Sequence, residues 1–246
     1  MGFLWILFFV TAICYSIAGF GGGSTYLALM VLWDFPYEHL RPTALLCNLA
    51  VVIFGTYIYW KNGFLDLRRL LPFIISSIPM AFLGGTIGIG KTAFSLLLGI
   101  SLAVAALRML WIGKALEPKA VLRTATLYGV GIPLGALLGF LAGIIGIGGG
   151  IYLAPVLLLL GWTDAKQTAA ACSFFILVNS VAGLAGQLSS GIHFSWQVAL
   201  PLVCAVLIGG QIGSNVGARW ISRLWLQRVT GVLILAVSIR LLWKVL

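Results

Sequence analysis

Two glycine clusters have the residue types and spacing to do chemistry: Gly19, Gly21, Gly22 and Gly23, then Gly146, Gly148, Gly149 and Gly150. One constant offset of 127 residues maps the first cluster onto the second. Successive glycines allow left-handed turns in which backbone N–H groups converge on one point, a nest that encloses oxyanions. A helix that starts after such a turn adds unpaired N–H groups and the positive end of its dipole. Gly21, Gly22, Gly23, Ser24 and Thr25 fit this description in the first cluster, with two hydroxyl donors, and Gly148, Gly149 and Gly150 in the second. The chemistry expected is non-covalent binding of a small anion. The alternative for the same residues is tight helix crossing, which glycine also permits.

Polar residues inside apolar sequence form a second layer. Ser173, Ser180 and Gln187 recur every seven residues and so share one helix face, with Cys172 and Asn179 beside them. Cys204 and Gln211 have the same spacing, with Asn215 one turn beyond, and Asn48, Gly55 and Tyr59 make a third stripe. Such groups either line a polar pathway or hydrogen-bond neighbouring helices. Asn48, Ser173 and Asn179 are the pathway candidates. Cys47 and Cys172 lie off the 127-residue register, so they need not face one cavity. The four cysteines sit in apolar runs without metal spacing and read as reduced fillers. His39 and His193 lie near helix ends, where solvated histidines are common. There is no nucleophile with a base, no metal motif and no phosphate loop, since GxGGG here lacks the strand, the later acid and the lysine those motifs need. The reading is a non-enzyme with no catalytic residue, metal, cofactor or nucleic-acid partner.

The elements that position these residues follow from composition. With 61% hydrophobic residues, 8% charged residues and a mean hydropathy of +1.13, the chain is an all-α integral membrane protein. Soluble domains are about one quarter charged, and the apolar runs exceed the roughly 20 residues that cross a bilayer as helix. Eight membrane helical segments are expected: 3–33 broken at the first glycine cluster, 43–60, 70–89, 94–112, 126–160 broken at the second, 165–188, 196–216 and 224–245. Non-helical backbone at membrane depth must be buried in protein or line a wet cavity, so paired breaks in helices 1 and 5 point to a transport site. Residues 1–10 show no basic leader and read as the start of the first helix.

The halves repeat, with 1–113 and 124–246 joined by a polar connector over 114–123. Gly55 and Gly63 recur as Gly183 and Gly191, Gly84 and Gly88 as Gly209 and Gly213, and Leu107 to Trp111 as Ile239 to Trp243. The ladders Gly84/Gly88, Gly135/Gly139/Gly143 and Gly209/Gly213/Gly217 read as helix packing. Arg108/Trp111 and Arg240/Trp243 read as interfacial anchors. The net charge of +10 has two ordinary causes, positive-inside topology and an anionic substrate or lipid surface. Eight straight spans place about nine basic residues on the side of both termini and about six on the other, a weak bias toward cytoplasmic termini. Either broken segment could instead dip and return, which would change that parity.

The duplicated GxGGG cluster, Pro155, Gly161 and the run from Ala171-Cys172-Ser173-Phe174 to Gly183 resemble the sulfite exporter TauE/SafE family over nearly the whole chain. The resemblance implies a four-plus-four helix duplication. It also implies transport, with export the expected direction, of small sulfur oxyanions or organosulfonates across the bacterial cytoplasmic membrane. A passive anion channel is the alternative, an accessory membrane subunit a further one, and a homo-oligomer is left open. Ala28 stands where Pro155 has its match and Asp34 where Gly161 does, so the two halves of the site are not equivalent.

Overall fold

Helix boundaries here are set by short polar caps and left-handed residues. The computed structural model describes residues 2–111, 124–192 and 195–217, together with Val232, Leu235, Ser238, Ile239, Leu242 and Trp243. Its elements are α1 (Gly2–Ile17), α2 (Gly23–Leu32), α3 (Tyr37–Lys61), α4 (Leu67–Thr86), α5 (Lys91–Trp111), α6 (Thr124–Ile145), α7 (Gly150–Leu159), α8 (Ala165–Ser189) and α9 (Trp196–Gly217). Asp66 caps α4 by accepting from the N–H groups of Arg68 and Arg69, and Asp164 caps α8 in a reciprocal box with Gln167. Helices end where a left-handed residue lets the next N–H reach back. Phe20 bonds Tyr15 O past Gly19, Phe35 bonds Met30 O past Asp34, Phe64 bonds Tyr59 O past Gly63, and Trp162 bonds Leu157 O past Gly161. Asp34, at φ 52°, takes the conformation that Gly161 takes at 64°, so this sequence departure leaves the backbone turn intact.

Among the described residues, α3, α4, α6, Lys166–Ser189 of α8 and Trp196–Val216 of α9 are long and apolar enough to cross a membrane, with Phe3–Ile17 and Gly23–Leu32 as shorter apolar helices. The expected segment 224–245 lies outside the described residues except at isolated positions. One of these, Ser238, is buried and donates to Gly99 O at 2.8 Å. The connector 114–123, His193, the side chains of Arg108 and Trp111, and Arg240 also lie outside them. Trp243 is exposed.

The broken segments are not interrupted straight crossings, because each turns back on itself. In the first, Thr25 Oγ1 lies 2.7 Å from Tyr15 OH, Tyr26 stacks on Phe8 at 4.7 Å, and Trp33 meets Phe3 at 6.3 Å. Contacts between ever earlier α1 residues and ever later α2 residues define an antiparallel hairpin. In the second, a Cβ on Gly149 would meet Ala142 Cβ at 3.1 Å, and Trp162 returns to Phe73, near the start of α4. There Arg69 Nη1 also donates to Trp162 O. Each hairpin therefore starts and finishes at one end of the bundle. The first lies at the Tyr37 end of α3 and the second at the Lys61 end. The basic-residue count, which assumed eight straight spans, rests on a geometry the chain does not adopt.

Glycine fixes how the long helices cross. A Cβ on Gly135, Gly139 or Gly143 of α6 would run into the α4 backbone at Phe73, Ser77 and Ala81 in turn, so α4 and α6 run parallel in near contact. Gly209 and Gly213 of α9 meet α1 at Phe9 and Ile13 in the same way. Two packing expectations need correction. Gly88 lies beyond the end of α4, with nothing within 4 Å of a Cβ there, and Gly85 supplies the close approach instead, against Gly183. The stripe of Cys204, Gln211 and Asn215 faces outward.

Candidate functional site

Asn48 sits near the middle of α3 and is fully buried. Its Nδ2 donates to Ile147 O at 3.0 Å, in the second glycine break, while its Oδ1 has no partner. The first break lies against the other side of the same amide. A Cβ on Gly21 would sit 2.5 Å from Asn48 Oδ1, and one on Gly23 would sit 2.8 Å from it. One on Gly148 would lie 3.2 Å from Nδ2 and 2.9 Å from Ser180 Oγ, a buried hydroxyl that also lacks a partner. Glycine is needed at these positions because the amide occupies the space that a side chain would fill. Gly21, Gly23, Gly148 and Asn48 thus form one cluster.

The other expected residues divide around it. Gly22 and Gly149 take left-handed turns, φ 86° and 80°, and face the rings of Tyr26 and Phe175 rather than Asn48. Gly150 packs on Ile176 and Cys172 O. Ser24 and Thr25 direct their hydroxyls to Tyr15 OH, at 3.4 and 2.7 Å, within the α1–α2 hairpin. Ser173 lies toward the Lys61 end of Asn48, where it donates to Val52 O at 3.3 Å and accepts from Thr56 Oγ1 at 3.2 Å. A Cβ on Gly55 would meet Ser173 Oγ at 2.9 Å and the unpartnered Ser214 Oγ at 3.4 Å, which places a short polar seam between α3, α8 and α9. Asn179 donates to Phe175 O within its own helix and leaves a buried Oδ1 without a partner.

Two half-helices begin beside Asn48. α2 starts at Gly23 with no side-chain cap on Gly22, and α7 starts at Gly150. Their first N–H groups have no intrahelical acceptor, and each start carries the equivalent of about half a positive charge. Sequence reasoning passed over Arg41, which is only 4% exposed. The expected segment started at residue 43, but α3 begins earlier, at Tyr37, and encloses Arg41 and Pro42. The signal was present in the spacing, since Arg41, Asn48 and Gly55 recur every seven residues and share a face.

The sulfite exporter TauE/SafE model matches residues 4–241. The chain belongs to this family. Over 97% of its length and 96% of the relative's, the TauE/SafE chain is 37% identical to the probable membrane transporter protein y4hK of Sinorhizobium fredii. It is 29% identical to the probable membrane transporter protein YunE of Bacillus subtilis, over 83% of this chain and 84% of the relative. A further match, 38% identical over 93 residues, is to Sulfite exporter TauE/SafE family protein 1 of Arabidopsis thaliana, covering 36% of this chain and 20% of that protein. No solved structure matches the chain. As a TauE/SafE member it is a multi-pass membrane transporter and not an enzyme.

Proposed function

We propose that this TauE/SafE chain exports small sulfur-containing anions, sulfite, an organosulfonate or a similar oxyanion, through one site held between two inverted halves. The observation that carries the reading is the meeting of two half-helix starts, α2 and α7, around the buried amide of Asn48. Two positive dipole ends and their unpaired N–H groups favour an anion in a low-dielectric interior. Ser180 Oγ adds a donor. Asn48 Oδ1 is an acceptor, which suits an oxyanion that still carries a proton, such as hydrogensulfite.

The halves are 1–113 and 124–246, joined by 114–123. Packing supports their equivalence. α1 lies on α9 as α6 lies on α4, α2 on α3 as α7 on α8, and α3 on α9 as α8 on α4. Gly19 packs on Ala169 as Gly146 packs on Arg41, and Gly21 on Asn48 as Gly148 on Ile176, each partner pair being 128 residues apart. Each hairpin starts and finishes at one end, so α3, α4 and α5 leave the second half to begin at the opposite end from the first. This is the inverted repeat found in many carriers, with the site at the repeat interface.

The acids support export driven by the membrane potential. Asp34, Glu38, Asp66 and Asp164 lie at helix ends, so among the described residues no carboxylate is placed for a proton relay. An anion leaving a negative interior gains roughly 2.3 kcal/mol per charge per 100 mV. The test is efflux from proteoliposomes at fixed pH with a clamped potential, against a panel of sulfite, thiosulfate, sulfate and sulfonates. Potential-dependent efflux of a sulfur anion is expected. Efflux of none of the panel sinks the substrate reading, and a rate indifferent to potential but steep in a proton gradient sinks the energetic one.

A further inference from the structure

Arg41 is a buried cation, only 4% exposed. Among the described residues the ion pairs are His39 with Glu38 and Arg69 with Asp66, and Arg41 enters neither. Its guanidinium donates instead to three carbonyl oxygens at the C-terminal ends of α4 and α6: Ile87 O at 3.1 Å, Gly84 O at 3.3 Å and Gly143 O at 3.0 Å. Helix C-termini welcome a cation, and the two ends together offset roughly one unit of charge. The Nε atom is buried and has no acceptor. Arg41 also lines a cavity of about 440 Å³ at the Tyr37 end, together with Tyr37, Glu38, His39, Gly88, Ile89 and Gly191; the Glu38 carboxylate there pairs with His39 at 3.9 Å and not with Arg41. On its inner side, a Cβ on Gly146 would lie 3.3 Å from Arg41 Cα, so the residue stands between this cavity and the second glycine break.

We infer that Arg41 is a second anion-binding point, the place where a small oxyanion entering or leaving by the Tyr37-end cavity pauses before it reaches the glycine site. The inference rests on the anion-transport reading above and adds a residue and a route to it. Ionisable groups that face the interior of a membrane bundle or a cavity, held by backbone carbonyls, mark substrate and ion pathways. Guanidinium suits an oxyanion because its planar N–H fork matches two oxygens at once. The carbonyl bonds hold the group in place, and exchange of one of them for an anion oxygen lets the ion pass without leaving the cation bare.

Two substitutions separate charge from capping. Arg41→Gln keeps an amide donor for the carbonyls but removes the charge, and Arg41→Lys keeps the charge. Gly88 lies in open space on the same cavity, so Gly88→Asp sets a carboxylate near Arg41 without touching its bonds, with Gly88→Asn as the neutral counterpart. The measurement is concentration-dependent flux of sulfite and of methanesulfonate in proteoliposomes. Arg41→Gln is expected to raise the half-saturating concentration at least tenfold and Arg41→Lys much less. Gly88→Asp is expected to exceed Gly88→Asn by at least fivefold, with the gap closing in high salt. Equal half-saturation in Arg41→Gln and wild type, or in the two Gly88 variants, overturns the inference. The Gly88 pair decides it even if Arg41→Gln does not fold, and wild-type protein that moves neither anion overturns the transport reading instead.

Discussion

At the scale of single residues, the two proposed halves differ most where the glycine breaks meet. Asn48 in α3 and Ile176 in α8 hold matched places against the two glycine breaks, one polar and one apolar. On the proposed reading, a site built on matched backbones is made one-sided by a single side chain. Gly21→Ala tests this without backbone strain, because Gly21 is not in the left-handed region. The added carbon pushes on Asn48 Oδ1, and transport is expected to fall at least tenfold while the protein still elutes as a folded species. Adding Asn48→Ala relieves the collision, so a pure packing role predicts recovery, whereas a binding role predicts none. Gly63→Ala is the counterpart: its φ of 74° carries a strain of roughly 1–2 kcal/mol, but nothing lies within 4 Å. A lowered melting temperature with wild-type flux is expected there. The glycines, Asn48 and Ser173 were legible as unusual in the sequence. What could not be read was direction, since only the fold shows Gly22 and Gly149 turning to aromatic rings and Ser24 and Thr25 turning to Tyr15.

Helices carry the next layer, and their starts were easier to foresee than their paths. Asp66 and Asp164 stand where a capping residue belongs, before apolar runs, and both caps form. Asp164→Ala removes the acceptor for Gln167 N–H and is expected to cost about 1 kcal/mol, read as a shift in thermal unfolding in detergent. The crossing of α6 on α4 is less forgiving. Gly139→Leu forces the two backbones apart along their whole contact and is expected to abolish the monodisperse folded peak on size exclusion. The fold-back of α1–α2 and α6–α7 was not legible, because an apolar segment of thirty residues with a central turn has the same composition whether it continues or returns. Phe3 against Trp33 is a contact between the ends of that segment, and no local pattern announces it.

For the molecule as a whole, the fold-backs change which loops share a face. Among the described residues, Lys61, Arg68, Arg69 and Lys166 gather at the Lys61 end. At the Tyr37 end, Lys91 stands at the start of α5, and Arg41 is buried. The positive-inside rule then sets the Lys61 end in the cytoplasm and the N-terminus outside, opposite to the weak bias from straight spans. Cysteine placed at Gly63 should react with an impermeant maleimide only after cells are opened, and cysteine at Gly90 in intact cells. The reverse pattern would refute this orientation.

The proposed inverted repeat carries a consequence for descent. A half-length ancestor could furnish both halves only by entering the bilayer both ways up, with basic residues too evenly spread to choose. Among the described residues, the present chain gathers most of its lysines and arginines at the Lys61 end. Fusion of the two copies would have freed each half to specialise: once the second copy was fixed upside down by the first, one could keep an asparagine and the other an isoleucine at the same place, a division of labour closed to two identical subunits.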